Sequence, residues 1–115
     1  LLAHIVGPSG HMFAIERIGE LAAWGRANVE RAGFRSVSFF TQDGYAGVPD
    51  SAPFDRIIAA ATLPDIPSPW KEQVRLGGRI VAPVGESIVV FEKQPGGSFV
   101  EQQHPGFSFV PFVHE

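Results

Sequence analysis

The chain has no cysteine, and this absence removes several kinds of chemistry at once. Among its 115 residues there is no Cys, so disulfides, thiolate metal sites and a cysteine nucleophile are all excluded. Small secreted domains often depend on disulfides, whereas cytosolic proteins rarely contain them. The composition therefore favours a cytoplasmic protein.

Long apolar runs and dense positive charge are missing as well. No stretch approaches the ~20 apolar residues that a membrane helix needs, and Leu1 to Val6 lack the basic flank and full apolar core of a signal peptide. The formal net charge is −3, and the nine Lys and Arg residues are spread along the chain. They form no row of cations that could neutralise phosphates. We therefore expect neither a membrane protein nor a nucleic-acid-binding protein.

Several catalytic and binding motifs cannot be found. The sequence contains no G-x-G-x-x-G, no G-x-x-x-x-G-K-[ST] and no G-x-S-x-G, so it has neither a complete nucleotide loop nor a nucleophile elbow. The histidines also lack the i, i+4 spacing that would place two imidazoles on one helix face. No metal site is predicted from His4, His11, His104 and His114.

What the sequence does contain is a strand–helix alternation typical of an α/β fold. The hydrophobic content of 44% suits a single globular domain. His11 to Glu16 is predicted as a strand, and Ser36 to Thr41 as the next one. Between them lies a helix that should end at Gly33. Its packed face is predicted from apolar and small residues at helical spacing: Ile18, Leu21, Ala22, Gly25, Val29 and Ala32.

The second half continues the alternation and then changes to a hairpin. A continuous apolar run predicts a strand covered on both faces, and a Pro-Gly-Gly turn between two apolar runs predicts antiparallel pairing. The sheet should therefore be mostly parallel with an antiparallel C-terminal edge. The predicted elements, in order, are a strand at Asp55–Ala61, a helix around Trp70–Arg75 ended by Gly77-Gly78, strands at Arg79–Val84, Ile88–Lys93 and Ser98–Gln103, and an extended segment at Phe107–Val113.

Two acidic residues stand where predicted strands end, and in open α/β sheets ligands bind at those ends. The carboxylate of Glu16 could accept hydrogen bonds from both hydroxyls of a ribose, although a helix-capping acid explains it equally well. Asp43 could accept from an adenine amine, and Gly44 would let the base approach the backbone. An ordinary Asp-Gly turn is the alternative there.

A third segment is more specific. A Gly-Gly turn leads into a buried strand that ends in Pro83-Val84-Gly85. With the two acidic segments it resembles the post-I, II and III motifs of S-adenosylmethionine-dependent methyltransferases. At the level of individual residues, nearly the whole chain is similar to the protein-L-isoaspartate O-methyltransferase family. The matching residues are Glu16-Arg17-Ile18, Glu20-Leu21-Ala22, Trp24-Gly25-Arg26, Asn28, Asp43-Gly44, Ala52-Pro53-Phe54-Asp55, Ile57-Ile58, Pro64, Gly77-Gly78-Arg79, Pro83-Val84-Gly85 and Phe109-Val110-Pro111.

The resemblance implies a Rossmann-like methyltransferase fold and a repair enzyme. The family transfers a methyl group from S-adenosylmethionine to the α-carboxylate of an L-isoaspartyl residue in damaged proteins or peptides. The carboxylate nucleophile is already ionised at neutral pH, so no catalytic base is expected. Catalysis should come mainly from proximity and orientation.

The family's binding residues transfer to matching positions in this chain. The resemblance implies that Glu16 binds the ribose and Asp43 the adenine of the cofactor, with backbone or packing contacts from Arg17 and Gly44. It also implies that Pro83, Val84, Gly85, Val110 and Pro111 line the substrate side, mainly through backbone groups. Simple edge-strand packing is the alternative explanation for Val110 and Pro111.

Two departures from the family stand out. The glycine-rich loop and the Ser-bearing substrate segment are not in the sequence, and Leu1 to Val6 resembles the end of the helix after that loop. The absent first strand normally lies between the strand ending at Glu16 and the one ending near Ala61. Residues 1–115 are thus expected to form a partial catalytic domain, either a fragment or one completed by another chain, such as a second copy. In addition, only Glu86-Ser87 separate Gly85 from the next strand.

Three other functions stay open at this point. A non-catalytic remnant or interaction module of the same fold would explain the missing glycine loop. A methyltransferase of the same fold could instead act on a small molecule. A dinucleotide-binding domain is the weakest hypothesis, because Glu16 alone favours it.

Overall fold

The computed structural model describes residues 2, 5, 9–33, 36–108 and 110–112. The chain divides into two compact units, residues 1–44 and residues 45–115. In the predicted helix end at the start of the chain, Leu2 and Ile5 are helical. The remaining residues of that segment lie outside the described residues.

The first unit contains a parallel strand pair with one helix. Strand β1 spans Met12–Glu16, helix α1 spans Gly19–Arg31 and strand β2 spans Val37–Thr41. The two strands are in parallel register, with Met12 opposite Val37 and Glu16 opposite Thr41. This arrangement confirms the strand–helix–strand prediction. A parallel pair needs a crossover of this kind because its strands run in the same direction.

Helix α1 packs through its small residues. Ala22 is buried, and a Cβ at Gly25 would lie 3.6 Å from Cε1 of Phe39, so the helix approaches β2 closely. Gly33 adopts φ +85° just past the helix, which confirms its predicted role as the stop.

The packed face of α1 is narrower than predicted. Ile18 and Leu21 were expected on it but are 46% and 50% exposed, and Ala32 is exposed as well. Ile18 precedes the first helical residue, so it does not follow the helical spacing. The sheet of this unit has two described strands, and Ala22 is the helix residue that is fully buried.

The second unit is a four-stranded sheet with one short helix. Strand β3 spans Phe54–Ile58, helix α2 Ser68–Gln73, and strands β4, β5 and β6 span Val74–Val84, Ser87–Lys93 and Phe99–Pro105. The order is β3-β4-β5-β6. β3 pairs with β4 in parallel, and the other two pairs are antiparallel. The predicted hairpin is confirmed, with Gly97 at φ +87° in its turn.

The boundary between α2 and β4 differs from the prediction. The helix ends at Gln73, and Gly77-Gly78 lie inside β4 rather than ending the helix. The chain enters the sheet at Val74, which pairs with Phe54. At this end the Nζ of Lys93 donates to the carbonyl oxygens of Lys71 at 2.8 Å and Val74 at 3.1 Å, and the first of these bonds satisfies a carbonyl that the last helical turn leaves open. The β3–β4 register then shifts between Phe54 and Arg56, which places the two glycines in an irregular stretch.

The predicted extended segment at Phe107–Val113 forms no strand among its described residues. Pro111 makes an isolated parallel bridge to Thr62. Proline has no backbone N–H to give to a ladder, so continued pairing through this position is not available. The segment is instead a loop whose backbone forms hydrogen bonds with the backbone of Thr62.

The core of the second unit lies between α2 and the middle of β4. Ile80 and Ala82 are completely buried, and Trp70 of α2 packs into the same cluster with Leu63, Ile66 and Val74. Phe112 meets the Trp70 ring edge-on with centroids 5.9 Å apart. This contact anchors the loop after β6 to the core.

Gln73 holds the loop before β3 against α2, and its loss should destabilise the second unit. Its Nε2 donates to the carbonyl of Ala46 at 2.7 Å, and its Oε1 accepts from the amide of Val48 at 2.9 Å. Gln73→Met keeps the length but leaves the amide of buried Val48 without its partner, whereas the carbonyl of exposed Ala46 can bond water. Because an unsatisfied buried group costs about 1–3 kcal/mol, we expect a loss in that range.

Urea unfolding followed through Trp70 fluorescence measures this effect, with Trp24 replaced by Phe so that one tryptophan reports. Glu72→Gln on the exposed side of α2 is the matched control and should leave the midpoint unchanged. Equal midpoints for Gln73→Met and the parent would contradict the assigned role.

Candidate functional site

The four predicted cofactor residues lie in the first unit, where β1 and β2 end. Glu16 is the last residue of β1 and lies opposite Thr41. The amide of Gln42 donates to the carbonyl of Glu16 at 3.1 Å, so the pairing continues one residue beyond the strands. Asp43 follows directly. The structure therefore brings both acids to the same edge of this sheet, as the sequence predicted.

The Glu16 carboxylate has a defined structural contact. Its Oε1 accepts a hydrogen bond from the amide of Ile18 at 3.2 Å, just before α1 begins at Gly19. Ile18 is the residue at the N-cap and makes no side-chain capping bond, so the Glu16 bond is a local contact to the residue that precedes the helix. An ionised carboxylate offers about four acceptor positions, so this bond is compatible with two further bonds from ribose hydroxyls.

The neighbouring residues differ in exposure. Asp43 and Gly44 are half-buried and Arg17 is exposed. Gly44 begins a single 3₁₀ turn that ends at Ala46. Arg17 lies in the short link between β1 and α1. The two chain segments that carry these four residues thus leave adjacent strands at one edge.

The five predicted substrate residues lie in the second unit and surround Thr62-Leu63. The amide of Leu63 donates to the carbonyl of Pro83 at 2.9 Å, and the amide of Gly85 donates to the carbonyl of Leu63 at 3.2 Å. Leu63 also forms a parallel bridge with Val84. One side of the dipeptide therefore binds the end of β4.

The other side of the dipeptide binds the loop after β6. The amide of Thr62 donates to the carbonyl of Val110 at 2.7 Å, and the amide of Phe112 donates to the carbonyl of Thr62 at 2.8 Å. Segments that are more than 20 residues apart in sequence thus meet around Thr62-Leu63. We call this set of residues, 62–63, 83–85 and 110–112, the Thr62 cluster.

A tight turn lies beside the Thr62 cluster. Gly85-Glu86 connect β4 to β5, with Val84 opposite Ser87, as expected from the short spacing after Gly85. Gly85 adopts φ +61°, which the first central position of a type II′ turn requires. The carbonyl of Glu86 accepts from the amides of Gly106 at 3.1 Å and Phe107 at 2.9 Å. Both ends of the turn are therefore held by backbone bonds.

Exposure distinguishes the members of the cluster. Pro83 is buried, whereas Gly85 and Pro111 are exposed. Val110 is 71% exposed, although its backbone carbonyl pairs with the amide of Thr62. An exposed apolar side chain beside exposed backbone groups is suited to an extended peptide.

Thr62 is the residue of this site that sequence reasoning missed. It falls directly after the predicted strand at Asp55–Ala61, and no motif or spacing marks it. Only the folded chain shows that its neighbours in space are the two substrate segments.

Two kinds of feature are absent from the described part of the chain. In residues 9–33, 36–108 and 110–112 no three His, Asp or Glu side chains are grouped as a metal ion would require. Within the same residues no helix is long and apolar enough to cross a membrane.

Comparison with known families decides the assignment. The family model for protein-L-isoaspartate(D-aspartate) O-methyltransferase matches residues 1–115. The chain belongs to this methyltransferase family. Membership of this family sets aside the dinucleotide-binding alternative.

Curated relatives carry the same name. The chain is 54% identical to a protein-L-isoaspartate O-methyltransferase of Methanothrix thermoacetophila over 98% of this chain and 54% of that protein. It is 41% identical to one of Aeropyrum pernix over 100% of this chain and 46% of that protein. The chain thus spans about half the length of these relatives.

Solved structures agree on the fold. A protein-L-isoaspartate O-methyltransferase structure superposes with a TM-score of 0.90 at 26% identity, covering 98% of this chain and 37% of that chain. A Plasmodium falciparum structure in complex with S-adenosyl-L-homocysteine superposes at 0.76 with 15% identity, covering 90% and 52%. The predicted α/β methyltransferase fold with an antiparallel C-terminal hairpin is confirmed.

Proposed function

We propose that this chain forms the C-terminal part of an enzyme that transfers a methyl group from S-adenosylmethionine to the α-carboxylate of L-isoaspartyl residues in damaged proteins. The observation that carries the proposal is the match to the family over all 115 residues. The two groups of site residues in the structure, one in each unit, support it.

The first group fits the adenosine part of the cofactor. Glu16 and Asp43 leave adjacent parallel strands at the edge where such folds bind ligands. Glu16 would accept from the ribose hydroxyls while keeping its bond to Ile18. Asp43 would accept from the adenine amine, with Gly44 and Arg17 contributing backbone or packing contacts. A solved structure that shares this fold holds S-adenosyl-L-homocysteine.

The second group fits an extended peptide. In the Thr62 cluster, Gly85, Val110 and Pro111 are exposed, so an extended substrate would lie against main chain rather than against long side chains. Such recognition suits a repair enzyme whose substrates share only the isoaspartyl linkage.

Methyl transfer requires the protein mainly to place the cofactor and the substrate carboxylate. The cofactor supplies an electrophilic methyl group on its sulfonium, and the substrate supplies an ionised carboxylate as nucleophile. No catalytic base is assigned to this chain. Its residues bind and orient both partners, and orientation alone can account for a large part of a barrier in a two-reactant step.

We also propose how the two sheets are completed. In the described parts of the chain, β1 pairs with β2 alone and β3 with β4 alone. Open strand edges favour pairing with a further strand. A segment from the part of the relatives' length that this chain does not span, or a second copy of this chain, would supply it. The absence of cysteine supports a cytoplasmic location.

A methyl-transfer assay tests the function. The 115-residue chain is assayed with labelled S-adenosylmethionine, alone and preceded by the N-terminal segment of the Methanothrix relative. An isoaspartyl peptide should gain a base-labile methyl ester, and the same peptide with normal aspartate should gain none. The chain with the N-terminal segment should be the more active form, because the segment restores the rest of the pocket.

The outcomes separate the alternatives. A folded chain that binds partners but transfers no methyl group in either form would be the non-catalytic module. The two incomplete sheets make this module the second candidate function. Methylation of small acceptors without methylation of the isoaspartyl peptide would indicate a different substrate class.

A further inference from the structure

The side chain of Thr62 makes a contact that backbone bonding does not require. Its Oγ1 donates to the carbonyl oxygen of Gly85 at 2.9 Å, and the residue is half-buried. Every other bond that joins Thr62-Leu63 to the cluster is formed by backbone groups, which any non-proline residue has. The hydroxyl is thus the one contact here that depends on residue 62 being Thr or Ser.

The accepted carbonyl belongs to a particular peptide group. Gly85 and Glu86 are the two central residues of the turn between β4 and β5, so the bond holds the central peptide of that turn. The N–H of this peptide belongs to Glu86 and points opposite to its carbonyl, because the peptide is planar and trans. Fixing the Gly85 carbonyl toward Thr62 therefore also fixes the direction of the Glu86 N–H.

This peptide needs such fixing more than most. The peptide that follows Gly85, which has φ +61°, rotates about ψ of Gly85 and φ of Glu86, and glycine restricts its backbone less than other residues do because it has no Cβ. A rotated peptide would present a carbonyl where the N–H now points.

We propose that Thr62 is a positioning residue of the substrate side, which locks the Gly85–Glu86 peptide in one orientation and so sets the backbone groups presented to the isoaspartyl peptide. The proposal rests on the proposed function. It adds a residue that the family resemblance did not mark, and it assigns a side-chain role within a surface otherwise formed by backbone.

Two substitutions isolate the hydroxyl. Thr62→Val keeps the branched shape and removes the donor, and Thr62→Ser restores the donor without the methyl group. Ser98→Ala is the matched control, because it removes an exposed hydroxyl at the other hairpin, where Ser98 contributes its backbone carbonyl to Gln94. Methylation of an isoaspartyl peptide is measured for each variant in the form that is active in the assay above.

Thr62→Val should raise the KM for the isoaspartyl peptide about tenfold, because one hydrogen bond of about 1.4 kcal/mol corresponds to that ratio. The KM for S-adenosylmethionine should stay within about twofold, and Thr62→Ser should return the peptide KM close to the parent value. A general loss of stability would change both KM values or the active fraction. Thr62→Ser would then not restore the parent KM for the peptide.

Amide hydrogen exchange tests the orientation without relying on activity. The amides of Gly85 and Phe107 donate to Leu63 and Glu86, so they report whether the turn stays in place. Their exchange should become about tenfold faster in Thr62→Val, and stay at the parent rate in Thr62→Ser and Ser98→Ala.

The two readouts separate the possible failures. A parent that methylates nothing overturns the proposed function and with it the substrate role of Thr62. An active parent whose Thr62→Val variant keeps the parent KM overturns the positioning role, whatever the exchange rates. Unchanged exchange at Gly85 and Phe107 overturns the claim that the hydroxyl holds the turn.

Discussion

Gly78→Ala is expected to unfold the second unit or to lower its free energy of unfolding by about 3 kcal/mol. A Cβ at this position would lie 2.9 Å from the carbonyl oxygens of both Arg75 and Asp55, and 2.7 Å from Cγ2 of Val74. The two carbonyls belong to the backbone of β4 and β3, so they can move only if the paired strands move. Urea unfolding followed through Trp70 measures the loss.

A second glycine serves as the control for this prediction. A Cβ added at Gly96, in the β5–β6 turn, would have no atom within 4 Å, and the φ of this residue is not positive. Gly96→Ala should therefore change stability by less than about 0.5 kcal/mol. Equal stability of the two variants would contradict the close approach of β3 and β4 at Gly78.

Glu16→Ala is expected to abolish measurable binding of S-adenosyl-L-homocysteine. The variant loses the acceptor of two ribose hydroxyls, and each hydrogen bond to a charged group is worth about 1.5–3 kcal/mol. It also loses the bond to the amide of Ile18. The expected weakening is therefore about 100-fold or more, about 3 kcal/mol, measured by calorimetric titration.

Two further variants separate the ribose contact from the bond to Ile18. Glu16→Gln keeps one carbonyl oxygen for that amide but replaces the other oxygen with a donor. This variant should bind S-adenosyl-L-homocysteine more weakly than the parent while α1 stays in place. Glu20→Ala removes another exposed carboxylate from the first turn of α1 and should bind like the parent. Weakening by Glu20→Ala equal to that of Glu16→Ala would indicate a general effect of charge.

The first unit could be predicted from the sequence almost completely, because its signals are local. Gly33 ends the helix where a residue with positive φ is needed, and apolar runs before and after the helix mark the two strands. The expectation that Glu16 and Asp43 meet at one edge follows from parallel pairing alone. Local patterns could not predict which helix residues the sheet covers, since the exposure of Ile18 and Leu21 depends on how many strands lie beneath them.

The second unit shows where sequence reasoning ends. The end of α2 is bonded by Lys93, which is distant in sequence and gives no local sign of this contact. The substrate residues were predicted from a family resemblance as separate segments. Their meeting point, Thr62-Leu63, depends on long-range backbone pairing, for which neither periodicity nor turn residues carry information.

Calorimetric titration of the 115-residue chain with S-adenosyl-L-homocysteine tests the central claim most directly. The account predicts saturable binding at one site per chain, weaker than a complete pocket would give, lost in Glu16→Ala and kept in Glu20→Ala. A folded chain that takes up no ligand at any concentration, or one that binds equally well without the Glu16 carboxylate, would contradict it.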